Sequence, residues 1–202
     1  MSDNYPKELW TVRTPEETRA MYAEWANAYE SDVADGYATP KRLARALAQA
    51  SPDKTAPVLD FGCGTGLSGM ALAAEGFSTI DGTDITPEML EFAREKPCYR
   101  TIWTSQPEDR IPTDHYTLIV AVGVVSLGAA PAQTLDMLLD ALPRGGLLAF
   151  SYNDPTLLDE GYMTRLAGFI SDGVARIVSE DYGPHLASKD MNSTVYILEK
   201  TS

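Results

Sequence analysis

Residues 58–69 read Val58-Leu59-Asp60-Phe61-Gly62-Cys63-Gly64-Thr65-Gly66-Leu67-Ser68-Gly69. A short apolar run ends in alternate glycines, and a helix-forming stretch follows. Glycines at 62, 64 and 66 let the backbone turn sharply and come close to a ligand. Free amides at a helix start favour an anionic group, and ligands of open α/β sheets sit beyond the carboxyl ends of the strands. Three ligand chemistries compete. A phosphate-cradling loop needs a Gly-Lys pair after its spacer, and the chain has none. A dinucleotide fingerprint needs a third glycine where Leu67 stands. The actual pattern, G-x-G-x-G with Asp60 two residues ahead, would repel a pyrophosphate and tolerate a cationic ligand. For the glycines alone, a tight turn holding nothing is the alternative. Asp84 follows Gly66 by 18 positions, about where a carboxylate takes ribose hydroxyls. A surface aspartate ahead of Thr86-Pro87 is the alternative, and the pairing with the glycine turn weakens it.

The surrounding elements must place these groups. Thr14-Pro15-Glu16-Glu17 has the order of an N-cap, a proline at N1 and a capping-box glutamate, so a helix is expected over 15–31 with Tyr22, Trp25 and Tyr29 on neighbouring faces. After a loop at 35–38, Thr39-Pro40 opens a second helix with Leu43, Ala46, Leu47 and Ala50 inward. Strands are expected at 58–61, 77–83, 99–104, 116–125, 147–152, 174–180 and 194–199. Helices are expected at 67–75, from Thr86-Pro87, at 131–142, and from Asp154 to about Asp172. Strands alternate with helices from residue 57 to about 173, as parallel strands joined by crossovers require. The expected fold is α/β: a doubly wound, mostly parallel, seven-stranded sheet. Residues 1–55 form an N-terminal helical extension and 56–202 the main domain.

Val58-Leu59-Asp60-Phe61-Gly62-Cys63-Gly64-Thr65-Gly66 resembles the first motif of class I S-adenosylmethionine-dependent methyltransferases. Asp84-Ile85-Thr86-Pro87-Glu88-Met89-Leu90 resembles their segment after the second strand, and Leu142-Pro143-Arg144-Gly145-Gly146-Leu147-Leu148 the turn before their fifth. The resemblance runs from about residue 20 to the C-terminus. Tyr22-Ala23-Glu24-Trp25-Ala26-Asn27-Ala28-Tyr29-Glu30-Ser31-Asp32 further resembles the front helix of a subgroup that includes the methyltransferase of the Williams–Beuren syndrome chromosomal region. The resemblance implies a Rossmann-like fold, S-adenosylmethionine as cofactor and S-adenosylhomocysteine as product. It implies cofactor-binding roles for the turn residues Gly62, Cys63, Gly64 and Gly66. Asp60 would lie near the cofactor's ammonium, Asp84 on the ribose, and Ile85 on adenine. Ser105 and Gln106 follow the third strand, where the family often reads the adenine amino group; Glu108 and Trp103 are further candidates. Gly123 and Val124 would offer backbone to the methionyl group. Trp25 and Tyr29, with Tyr22 and Tyr37, would form a lid, core packing being the alternative. Tyr152, Asn153 and Tyr162 are expected to meet the acceptor.

No catalytic residue is assigned. The sulfonium already makes the methyl group electrophilic, so a general base is useful only for a protonated nucleophile. His185, in an expected loop at 182–185, is one candidate, a surface loop histidine being the alternative; His115 lies at the wrong end of its strand. Metal-dependent relatives place carboxylates after the fourth strand, and residues 122–128 have none, so no metal is expected. The Asn/Asp-Pro-Pro-Tyr signature of nucleobase enzymes is missing there, and Asn153-Asp154-Pro155-Thr156 reads as a helix cap. With 16 basic and 29 acidic residues the formal net charge is −13, which argues against nucleic acid and anionic lipid. Cys63 and Cys98 match no metal spacing. Met1-Ser2-Asp3-Asn4-Tyr5 lacks the regions of a signal peptide, and no apolar run approaches the roughly 18 residues of a span, so a cytoplasmic location is expected. The short link between the last strands leaves no room for an inserted domain and favours a small-molecule acceptor. A protein methyltransferase of the same fold and a non-catalytic cofactor-binding sensor or scaffold are the rivals.

Overall fold

The computed structural model describes Pro6, residues 9–33 and residues 36–202. The opening pentapeptide and Asp35 of the expected loop lie outside those residues. Helix α1 (Pro15–Val33) begins with the expected capping box: Thr14 N–H donates to Glu17 Oε2 at 2.8 Å, and Glu17 N–H donates to Thr14 Oγ1 at 3.2 Å. Helix α2 (Thr39–Ala50) has Pro40 in its first turn and a one-sided apolar stripe of Leu43, Ala44 and Leu47, all fully buried. Then follow β1 (Val58–Phe61), α3 (Leu67–Ala74), β2 (Ile80–Asp84), α4 (Pro87–Arg94), β3 (Tyr99–Thr104), β4 (Leu118–Ala121), α5 (Thr134–Ala141), β5 (Leu147–Asn153), α6 (Asp154–Leu157), α7 (Glu160–Ser171), β6 (Ala175–Leu186) and β7 (Met191–Lys200).

The seven strands form one sheet in the order β3-β2-β1-β4-β5-β7-β6. All pairs are parallel except those of β7, which runs antiparallel to β5 and β6. The strand order reverses between β1 and β4, the place where an open sheet leaves a crevice at its carboxyl edge. Leu43 and Leu47 of α2 join Leu72 of α3 and Val58, Ile80 and Val195 in one core layer. Leu135 and Leu138 of α5 and Leu166 of α7 pack on the other face against Ile119 and Phe150. Helix α2 is thus built into the sheet's core, although the sequence had suggested grouping it with the front extension.

Several expected elements change, the strand anticipated over 116–125 shortening to Leu118–Ala121 because the chain turns away at Val122 and Gly123. The helix anticipated over 154–172 is two helices, because Asp159 starts the second by accepting the amides of Gly161 (2.8 Å) and Tyr162 (3.3 Å). The last two strands are longer than expected and form a hairpin through a 3-10 turn, Ala187–Lys189. A register irregularity between Pro184 and Leu186 absorbs the proline, which cannot donate to a ladder. His185 therefore lies in β6 and is buried, not in a surface loop. Among the described residues no helix is long and apolar enough to cross a membrane.

Candidate active site

The carboxyl ends of β1, β2, β3 and β4 open into a cavity of about 550 Å3, with Gly62, Asp84, Ser105 and Gly123 at its floor. The glycine turn follows from chain geometry. Gly62 has φ 69°, and a Cβ there would stand 2.4 Å from the Val124 side chain, so only glycine fits. At Gly64, φ 54°, a Cβ would meet nothing within 4 Å, and its backbone faces open space. The Gly64 amide donates to Asp84 Oδ2 at 2.9 Å, and the Thr86 amide donates to Asp84 Oδ1 at 2.8 Å. Asp84 thereby ties the turn to the start of α4. Each carboxylate oxygen keeps a further lone pair for a ligand. Loss of solvent pushes the Asp84 carboxyl up, against the amides that hold its ionised form.

Ile85, Ser105, Gln106, Val124 and Tyr29, named from the sequence for the cofactor, line the same cavity, and Trp103 joins them. Tyr22, Tyr29 and Tyr37 roof it. Burial, then the charge of Asp84, pushes the Tyr22 phenol up to about 12. Tyr22 therefore lies within electrostatic reach of Asp84.

Four expected cofactor residues sit elsewhere. Asp60 is fully buried and does not line the cavity. Its Oδ2 accepts from Ser68 Oγ at 2.6 Å and Tyr99 Oη at 2.7 Å, its Oδ1 has no hydrogen-bond partner among the described residues, and burial pushes its carboxyl up to about 6. It braces the turn from below. Cys63 turns into the core against Leu90 and Ala93, where burial pushes its thiol up. Gly66, at the start of α3, lies under Lys96 and Tyr99. Trp25 is buried beside Tyr22 and Tyr29 and donates to Asp32 Oδ2 at 2.7 Å. The spacing gave the right turn but not which side chains face outward.

A smaller compartment of about 50 Å3 adjoins the cavity, and Tyr22, Tyr29, Tyr37 and Gly123 line both. Trp25, Asn153 and His185 line the smaller one. Of the expected acceptor contacts, Tyr162 reaches the larger cavity, whereas Tyr152 is fully buried between Phe150 and Tyr196. Glu108 and His115 are exposed and line neither. Arg13, Arg110 and Met137 line the larger cavity and carried no sequence signal, since the fold alone brings them there. Among the described residues no three His, Cys, Asp or Glu side chains converge as a metal site would require.

A family model described as a methyltransferase domain matches residues 34–182. Human methyltransferase-like protein 27 is 33% identical over 137 residues, which is 65% of this chain and 56% of that protein. Ribosomal protein L11 methyltransferase of Pseudomonas aeruginosa (strain LESB58) is 37% identical over 95 residues, 46% of this chain and 32% of the relative. The chain thus spans a little over half of one relative and about a third of the other. Among solved structures, the [4+2]-cyclase SpnF aligns with a TM-score of 0.69 at 16% identity, covering 95% of this chain and 97% of that one. An S-adenosylmethionine-dependent methyltransferase of Leishmania major aligns with a TM-score of 0.68 at 21% identity, covering 96% and 87%. These two likenesses are of fold.

Proposed function

The chain belongs to the methyltransferase-domain family, and from that premise we propose that it moves the methyl group of S-adenosylmethionine to a small-molecule acceptor without a metal. Its cofactor is S-adenosylmethionine, with S-adenosylhomocysteine as product. The residues present fit that group: an open glycine turn, the Asp84 carboxylate with lone pairs to spare, and apolar walls at Ile85 and Val124. When bound, the cofactor supplies an electrophilic methyl carbon on a sulfonium. Asp84 takes the ribose hydroxyls, Gly62 and Gly64 let backbone approach the methionyl end, and Ser105 or Gln106 reads adenine. Tyr22, Tyr29 and Tyr37 exclude water over the reacting end, which aligned displacement requires.

The observation that carries the reading is the single roofed cavity uniting the turn, Asp84 and the aromatic helix α1. The three-residue turn between β6 and β7 favours a small acceptor. The front-helix residues 22–32 support placement with the Williams–Beuren subgroup. Protein methylation is the second reading, favoured by the likeness to the L11 enzyme. Incubation of the protein with methyl-labelled cofactor and size-fractionated cell extract separates the two. Label in the small-molecule fraction is expected. Label in acid-precipitable protein alone favours the second reading, and label in neither leaves a binding protein without transfer.

A further inference from the structure

The smaller compartment has its own chemistry. It lies against the shared boundary at Gly123 and Tyr37, and a Cβ at Gly123 would come within 2.9 Å of Tyr37 Oη. Of its polar side chains, Ser126 turns its hydroxyl to the Gly123 carbonyl at 3.4 Å, and Ser151, Asn153 and His185 are 2%, 7% and 6% exposed. Each of the latter three presents a donor. Asn153 Oδ1 is occupied by the Thr156 amide (3.1 Å) and hydroxyl (2.6 Å), which fixes its orientation and leaves Nδ2 with no partner among the described residues. Ser151 Oγ accepts from the Gly123 amide at 3.0 Å and keeps its hydroxyl proton.

His185 is set by a relay. Arg42 only donates, and its Nη1 reaches Ser193 Oγ at 3.1 Å. Ser193 Oγ is 2.9 Å from Thr39 Oγ1, which is 2.8 Å from His185 Nδ1. Arg42 Nη1 also reaches the Pro184 and Ser193 carbonyls at 3.0 and 3.1 Å; with Arg42 donating to Ser193 Oγ and each hydroxyl passing its proton onward, Nδ1 is the acceptor. That assignment puts the ring proton of the neutral imidazole on Nε2, which no described residue engages. Burial holds the ring neutral by lowering its pKa to about 4. The nearest charges, Arg42 and Asp154, are opposite in sign and already bonded, Arg42 to Asp181 and Asp154 to Tyr182 and Asn192. Among the described residues no acidic side chain lines this compartment. Among them a cationic amine finds no counter-charge, whereas an oxygen anion meets three donors.

We propose that the compartment seats the carboxylate of an apolar monocarboxylic acid, held by Asn153, Ser151 and His185, and that this carboxylate is the methyl acceptor. The inference rests on the methyl-transfer reading above. About 50 Å3 admits a few water-sized groups, the size of a carboxylate head, and the remainder extends past Tyr29 and Tyr37, which line both spaces, into the larger cavity. A carboxylate oxygen lone pair forms the new bond to the methyl carbon. The carbon–sulfur bond breaks, its electron pair stays on sulfur, and a methyl ester and a neutral thioether result. No proton is released, so the weakly basic His185 need only donate.

The test uses the whole protein, methyl-labelled S-adenosylmethionine, and acetate, phenylacetate and octanoate beside the matching alcohols and amines. Titration with S-adenosylhomocysteine is run in parallel. Label is expected in one or more acids, released as methanol by mild alkali. Asn153→Asp keeps the oxygen that caps α6 and replaces the donor with a second acceptor. It should lower kcat/KM for that acid at least tenfold while the S-adenosylhomocysteine Kd stays within twofold. His185→Gln should lower it in the same direction. Transfer only to alcohols or amines, no transfer to any acid despite product binding, or an unaffected folded Asn153→Asp protein each overturns the proposal. Absence of S-adenosylhomocysteine binding instead overturns the methyl-transfer reading beneath it.

Discussion

Asp60 and Asp84 stand 24 positions apart in sequence and share the glycine turn, yet they do different work. Asp84 faces the cavity, and Asp84→Ala should weaken S-adenosylhomocysteine binding by roughly 2–3 kcal/mol, because hydrogen bonds to charged groups are the stronger kind. Calorimetry reads this directly, and unchanged affinity in a folded variant would refute the ribose role. Asp60 is an acid whose folded pKa, about 6, lies above the ordinary value of 3.8. Its contribution to stability is fully present below the unfolded pKa and is lost as pH rises through the folded one. Relative to Asp60→Asn, the wild type should therefore lose about 2 kcal/mol between pH 4 and pH 7, read from urea unfolding at both ends. A constant difference across that range would contradict the assignment. The residue types and spacing made the turn and Asp84 legible. They could not tell that Asp60 points inward, since Ser68 and Tyr99, which hold it, are set by the packing of α3 and β3. The His185 relay was equally hidden, because its partners Thr39 and Ser193 lie in α2 and β7.

Helix α1 shows how one element serves packing and function together. Trp25 is buried, while Tyr22 and Tyr29 on the adjoining faces are half-buried and roof the cavity. Neither core layer beside the sheet draws residues from α1. A chain starting at Gly36 should keep a cooperative thermal transition and bind S-adenosylhomocysteine at least tenfold more weakly. Affinity equal to that of the full chain would show α1 to be packing alone. Helix starts were readable because capping side chains act locally, as at Thr14 and Glu17. The break at Asp159 carries the same kind of signal, an acid accepting two following amides, and was obscured by the apolar residues on either side. The length of the β6–β7 hairpin was not readable, since exposed strand residues such as Asp181 and Tyr182 resemble a loop until β7 pairs with them.

At the scale of the molecule, alternation of strands and helices was enough to give the parallel sheet, and the antiparallel β7 completes it. The net charge of −13 should keep the protein from shifting DNA or RNA at low salt. With no converging metal ligands among the described residues, methyl transfer should survive excess chelator. Loss of activity restored by magnesium would overturn that expectation. The central claim is that the roofed cavity at the carboxyl edge of the sheet binds S-adenosylmethionine, and calorimetric titration of the full chain with S-adenosylhomocysteine and with NAD tests it most directly. The account predicts one-to-one binding of S-adenosylhomocysteine and no response to NAD. Tight NAD binding by the folded protein, with no response to S-adenosylhomocysteine, would contradict it.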